Sequence, residues 1–296
     1  MRNQPTLFHY LELHFIVLLY GFTAILGKLI SIPAIELVSY RMSLASMALF
    51  VLLLFQKKSF RIAKKDTLFI MGVGLVVAAH WIFFFGAVKV SNVAVTLGVM
   101  ASGTLFTSFL EPLVEKRSIY WVEVFIGVVI MIGLYVISRF AMEYWLGIVY
   151  ALISSFLAVV FTVLNQRLTR RYDAVTISFY EMLTGFCGIM VFLYLSGTSI
   201  TPIQELERLD FLWIPILAIF CTAYAFAGVV RLMRHVTAYT VSLSINLEPV
   251  YGIILAFFIF GESEKMNLGF YSGAIILLLA IFGYPYLKKR FHVGDE

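Results

Sequence analysis

Charge is scarce in this sequence: 13% of its 296 residues are Asp, Glu, Lys or Arg, against 61% hydrophobic. That scarcity excludes an ordinary water-facing globular surface, where about a quarter of residues would be charged. Cysteine is nearly absent. Cys187 and Cys221 fall inside apolar runs with neither paired nor metal-type spacing, which argues against a disulfide framework or a zinc site and reads as two small buried thiols. Short alternating segments of the outer-membrane barrel type are missing, so spans through a bilayer must be helices. There is no H-E-x-x-H pair and no phosphate-cradling P-loop, and His14, His80 and His235 are scattered over three apolar runs, so nothing points to a metal or cofactor. The first apolar run ends at "GKLIS" without a small-x-small cleavage pattern, which predicts a retained first helix.

What is there is a succession of apolar runs, each near the roughly 20 residues a helix needs to cross about 30 Å of hydrocarbon. Breaks at charged or turn-like residues divide the chain into ten spans, at 13–30, 34–55, 67–88, 91–110, 119–138, 145–164, 174–196, 211–231, 236–260 and 268–287. The net charge of +5 is no nucleic-acid signal, because the basic residues cluster in connectors rather than on one solvated face. They report orientation instead. Of the 22 Lys and Arg, sixteen fall at the N-terminus, the C-terminus and alternate connectors such as "QKKSFRIAKKD", five (Lys28, Lys89, Arg139, Arg208 and Lys265) fall in the other connectors, and Arg41 lies within a span. The excess predicts an even number of spans with both termini cytoplasmic.

Two stretches match at a shift of about 140: "VSYRMSLASM" from Val38 and "ISFYEMLTGF" from Ile177, with Tyr40 over Tyr180, Arg41 over Glu181 and Met42 over Met182. A shift of about 146 sets "VFIGVVIMIGLYVIS" beside "GFYSGAIILLLAIFGYP", with Gly127 over Gly273. Five spans per copy is an odd number, so the second copy runs through the bilayer in the opposite sense. The expected fold is therefore an all-α polytopic membrane protein of ten transmembrane helices in two inverted five-helix repeats, 1–140 and 141–296, forming one membrane unit. The connector charges agree, since "GTSITPIQELERLD" has three acids and one base where its counterpart "QKKSFRIAKKD" is strongly basic.

An ionisable group inside a span costs at least roughly 2.5–3.5 kcal/mol at mid-helix and needs a partner, water or a functional reason. Lys28 lies close enough to a span end to be solvated there. His80 and Glu248 both fall near mid-span, Glu248 between Asn246 and the helix-breaking Pro249. His80, Trp81, Ser102, Asn246 and Glu248 thus converge in depth and form the candidate substrate cluster, since transporter sites of this type lie at the midplane between repeats. Glu248 would bind a substrate ammonium or carry a coupling proton. Against that stand plainer roles: His80 and Asn246 as interhelical hydrogen-bond partners, Trp81 as packing. Arg41 is expected about seven residues from the outer end of its span, its guanidinium within reach of the interface by snorkelling. Inversion puts Glu181 about as far inside the cytoplasmic surface, roughly 10 Å from Arg41 along the membrane normal, so the two are expected in opposite vestibules rather than as an ion pair.

Arg41, the run "LEPLVEKRS", and "INLEPVYGIILAFFIFGES" with Pro249 and Glu262, followed by the glycine-bearing "LGFYSGAIILLLAIFG", resemble the EamA family of the drug/metabolite transporter superfamily. The first half departs from that pattern. Ser102 or Gly103 stands where the second half has Pro249, and Glu111–Pro112 comes near a helix end. The resemblance implies a secondary transporter or facilitator, often an exporter, moving a small organic metabolite by alternating access, with membrane lipid and a coupling proton as its other partners. It also implies the cytoplasmic (inner) membrane of a bacterium as location. A passive channel and an intramembrane lipid-modifying enzyme are the alternatives.

Overall fold

A computed structural model describes residues 5–139, 142–261 and 268–291. Glu262, expected at the end of the ninth span, lies outside them. Thirteen α-helices account for most of the described chain, and no strand occurs among the described residues. The first three are α1 (Leu7–Leu29), α2 (Ala34–Phe55) and α3 (Lys64–Val90). A broken pair follows, α4 (Val93–Met100) and α5 (Gly103–Glu115), and then α6 (Trp121–Arg139), α7 (Trp145–Leu168) and α8 (Ala174–Ser196). Next, α9 (Asp210–Ala218) and α10 (Ala225–Leu232) are joined by a π-helical turn at Ile219–Tyr224. A second broken pair, α11 (Ala238–Ile245) and α12 (Glu248–Phe260), precedes α13 (Leu268–Arg290).

Eight of the ten expected spans are long and apolar enough to cross a membrane, counting each broken pair and α9–α10 as one span. The other two fall on α6 and α13, where the apolar stretches are shorter, Trp121–Gly133 and Tyr271–Tyr284. The outer faces suit lipid. Phe55, Tyr194, Leu195 and Phe258 are each more than three-quarters exposed, as bulky apolar side chains are only where water is not the solvent. Inside, glycines let helices close up. A Cβ on Gly74 of α3 would stand 2.6 Å from the Glu181 carbonyl of α8, and one on Gly21 of α1 would stand 3.0 Å from the Gly252 nitrogen of α12.

The two broken pairs share one design. Each is eight residues, a two-residue break and thirteen residues, offset by 145 from Val93 to Ala238 and from Gly103 to Glu248. Each begins on a side-chain cap: Asn92 Oδ1 accepts from the Val95 amide (2.8 Å) and Thr237 Oγ1 from the Thr240 amide (3.0 Å). Both breaks are tightened turns, with Ser102 N donating to Val99 O (3.1 Å) and Asn246 N to Leu243 O (3.1 Å). The second has an evident cause, since Pro249 has no N–H to give and so occupies the second position of α12, where none is required. The first has no proline. There Ser155 of α7 donates to the Met100 carbonyl (3.0 Å) and accepts from Ser102 Oγ (3.1 Å), so a neighbouring helix satisfies the break.

Candidate functional site

Helices α1, α2, α3, α7 and α10 and the ends of α4, α11 and α12 enclose a cavity of about 80 Å³. That is well above the roughly 10–15 Å³ that one water requires, so the space can be hydrated or filled by solute. Its wall is apolar, with Phe84, Phe161, Phe226 and Val229 among the lining side chains. Its polar groups are few: Tyr20, Thr23, Arg41, His80, Thr162 and Glu248.

Arg41 is held from three sides. The π-helical turn presents Thr222 Oγ1, which accepts from Arg41 Nε (2.5 Å) while donating to the Leu217 carbonyl (2.7 Å), and the Cys221 carbonyl accepts from Arg41 Nη2 (3.3 Å). The guanidinium lies over the Trp81 ring, 3.8 Å from its centroid, with Phe85 at 5.4 Å. Nη1 has no hydrogen-bond partner among the described residues. The exposed, snorkelled guanidinium expected for Arg41 is therefore corrected: the residue is 1% exposed and lines the cavity. Desolvating a guanidinium is tolerable here because the bulged turn supplies two acceptors and the indole face a third contact.

His80 is fixed between α3 and α7. Its Nδ1 is 2.9 Å from the Ser154 carbonyl and 2.8 Å from Ser154 Oγ, and Ser154 Oγ donates back to the His80 carbonyl (3.0 Å). A carbonyl can only accept, so Nδ1 carries the proton and Nε2 is left as an acceptor. Glu248 opens α12 immediately after the break, buried but lining the cavity. Arg41 and Glu248 line one cavity among apolar side chains, where polar groups act at a lower effective dielectric than in bulk water on anything that enters.

Two members of the expected cluster lie elsewhere. Ser102 is fully buried on Ser155, and Asn246 donates through Nδ2 to Thr104 Oγ1; neither lines the cavity. Both brace the helix breaks instead. The offset of the broken pairs sets Gly103 opposite Glu248, and Thr104 rather than Ser102 or Gly103 opposite Pro249. Glu181 is fully buried with Asn165 Nδ2 donating to its Oε2 (3.3 Å), and it forms no ion pair with Arg41. Sequence reasoning missed Tyr20, Thr23 and Thr162, whose polar groups sit in apolar runs with no charge to mark them.

The family model for EamA-like transporters matches this chain twice, over residues 10–139 and 145–284. The chain belongs to the EamA-like transporter family. Two relatives from Archaeoglobus fulgidus, each described as an uncharacterized transporter, are 24% identical. One is matched over 273 residues, 91% of this chain and 94% of its own; with the other, the chain matches only about half the relative's length, 158 residues or 53% of each. A solved crystal structure shares the fold, with a TM-score of 0.72 and 17% identity over 95% of this chain and 98% of that one. Family and relatives support an integral membrane transporter of a small molecule over an intramembrane enzyme.

In this EamA-like transporter, polar contacts also tie helix ends on either side of the cavity-forming segments. Tyr40 of α2 donates to the Thr201 carbonyl (2.7 Å), beyond α8, and Tyr180 of α8 donates to the Phe60 carbonyl (3.0 Å), beyond α2. Arg117, between α5 and α6, bridges Glu123 (3.0 Å) and Glu111 (3.3 Å). Burial alone would lower the Arg117 pKa, but the two carboxylates, Glu123 foremost, hold it above its ordinary value, so the bridge keeps its cation.

Proposed function

We propose that this protein is a secondary transporter that binds a small amino-acid-like solute in the Arg41–Trp81–Glu248 cavity and moves it across the membrane by alternating access, in the export direction. The observation that carries the reading is the presence, in one largely apolar cavity, of both a guanidinium whose Nη1 is unengaged among the described residues and the Glu248 carboxyl group. Arg41 takes the solute's carboxylate, Glu248 its ammonium, His80 Nε2 accepts a hydrogen bond, and the aromatic wall takes an apolar side chain. Export rests on the family likeness alone.

The rocking units in this reading are two inverted halves, 1–140 and 141–296, with both termini cytoplasmic and ten spans in a bacterial inner membrane. The twofold match of one family model, the duplicated broken pairs and the reciprocal Tyr40 and Tyr180 bonds support that division.

The test is a solute screen by counterflow in liposomes containing the purified protein. Amino acids should compete best, ahead of the corresponding amines and carboxylic acids, and Glu248→Gln should weaken competition by amines and amino acids more than by acids. Competition by uncharged solutes only would refute the pairing, and flux that never saturates would indicate a channel.

A further inference from the structure

Glu181 is the deepest ionisable group outside the cavity. It is 0% exposed, and among the described residues no cation pairs with it. Three buried oxygens lack partners among the described residues: Glu181 Oε1, Oδ1 of Asn165, whose amide bonds Glu181, and Oγ of Ser178, one turn before Glu181 on the same helix. Asn165 and Ser178 are fully buried too. Hydroxyls and amides normally find partners at such depth, so three idle oxygens mark a place where something is bound.

The ionisable groups on the helices around α8 have other partners or lie elsewhere. On α2, Arg41 bonds Thr222 and Glu36 accepts from the Thr201 amide (2.9 Å). On α3, Asp66 accepts from Tyr172 (2.6 Å), His80 bonds Ser154, and Lys89 donates to the Ile30 carbonyl (2.8 Å), while Lys65 lines an outer pocket with Arg167 of α7. Arg231 of α10 pairs with Glu12, and Tyr180 of α8 itself donates to Phe60. Among the described residues no side chain neutralises the carboxylate, and Gly74 packs closely against its backbone. A proton fits that description: it needs no room, and on Oε1 it converts an acceptor into a donor that can pair with an acceptor such as Asn165 Oδ1, whose amide already bonds Oε2.

We propose that Glu181, with Asn165 and Ser178, is a binding site for one exchangeable proton, separate from the solute cavity and coupled to it through α7. Asn165 lies one turn beyond Thr162, which lines the cavity, so a change in Glu181 protonation reaches the solute through one face of one helix. The chemistry is proton transfer alone: hydronium gives a proton to Oε1 and leaves water, and the reverse step releases it. The coupling rests on the transport reading above; the site does not.

The test is infrared difference spectroscopy of the full-length protein in lipid nanodiscs, titrated with pH. A carbonyl-stretch band of a protonated carboxyl, shifted by deuterium exchange, should be present in the wild type, absent in Glu181→Gln and retained in Glu248→Gln. Asn165→Ala and Ser178→Ala should move the band without abolishing it, which keeps the proposal open to test if Glu181→Gln misfolds. A folded Glu181→Gln that keeps every such band, or partner variants that leave the band unmoved, would overturn it. The spectrum requires no solute, so failure here is distinguishable from failure of counterflow.

Discussion

At the scale of single residues, the cavity depends on geometry more than on charge. Arg41 uses Nε, Nη2 and its flat face at once, leaving Nη1 for a ligand, and an ammonium cannot do all four. Arg41→Lys should therefore retain folding but weaken solute affinity about 10- to 100-fold, the loss of one charge-assisted hydrogen bond of roughly 1.5–3 kcal/mol, read from the concentration dependence of uptake. Glu248, His80 and Trp81 were legible in the sequence because an ionisable group or a large aromatic at mid-span stands out from its surroundings. The place of Arg41 was not. Distance from a span end gives depth, but it does not say that a bulged turn in another helix offers Thr222 and Cys221 to pull the side chain inward. Ser102 and Asn246, placed by sequence with the cavity residues, turn instead to Ser155 and Thr104, because position along a span does not tell which face of a helix a residue occupies.

At the scale of elements, close packing and broken helices shape the site. The Gly74 contact on Glu181 leaves no space for a methyl group, with the Glu181 carbonyl 2.6 Å from where it would be. Gly74→Ala should cost about 1–3 kcal/mol, visible as a lower thermal midpoint in detergent, whereas Gly72→Ala, whose Cβ would meet nothing within 4 Å, should leave the midpoint unchanged. Of the two breaks, the one before Glu248 was readable from Pro249, though the proline starts a helix rather than kinking one. The break at Ala101–Ser102 was not readable, since its compensation comes from Ser155, more than fifty residues away in sequence. The π-helical turn likewise has no local sequence signature.

At the scale of the whole molecule, hydropathy made the membrane class plain, and the boundaries of α2 and α8 fell where the apolar runs did. The proposed orientation rests on the distribution of Lys and Arg. Single cysteines placed after α2 and after α8 in a cysteine-free background should react with a membrane-impermeant maleimide from opposite sides in intact cells; labelling from the same side would contradict the inverted arrangement. The claim on which the rest depends is that solute crosses through the cavity at Arg41. Its most direct test is counterflow of the best amino-acid solute in liposomes containing wild-type protein or Arg41→Ala. The account predicts saturable exchange in the wild type and its loss in the folded variant; equal exchange in both would contradict it.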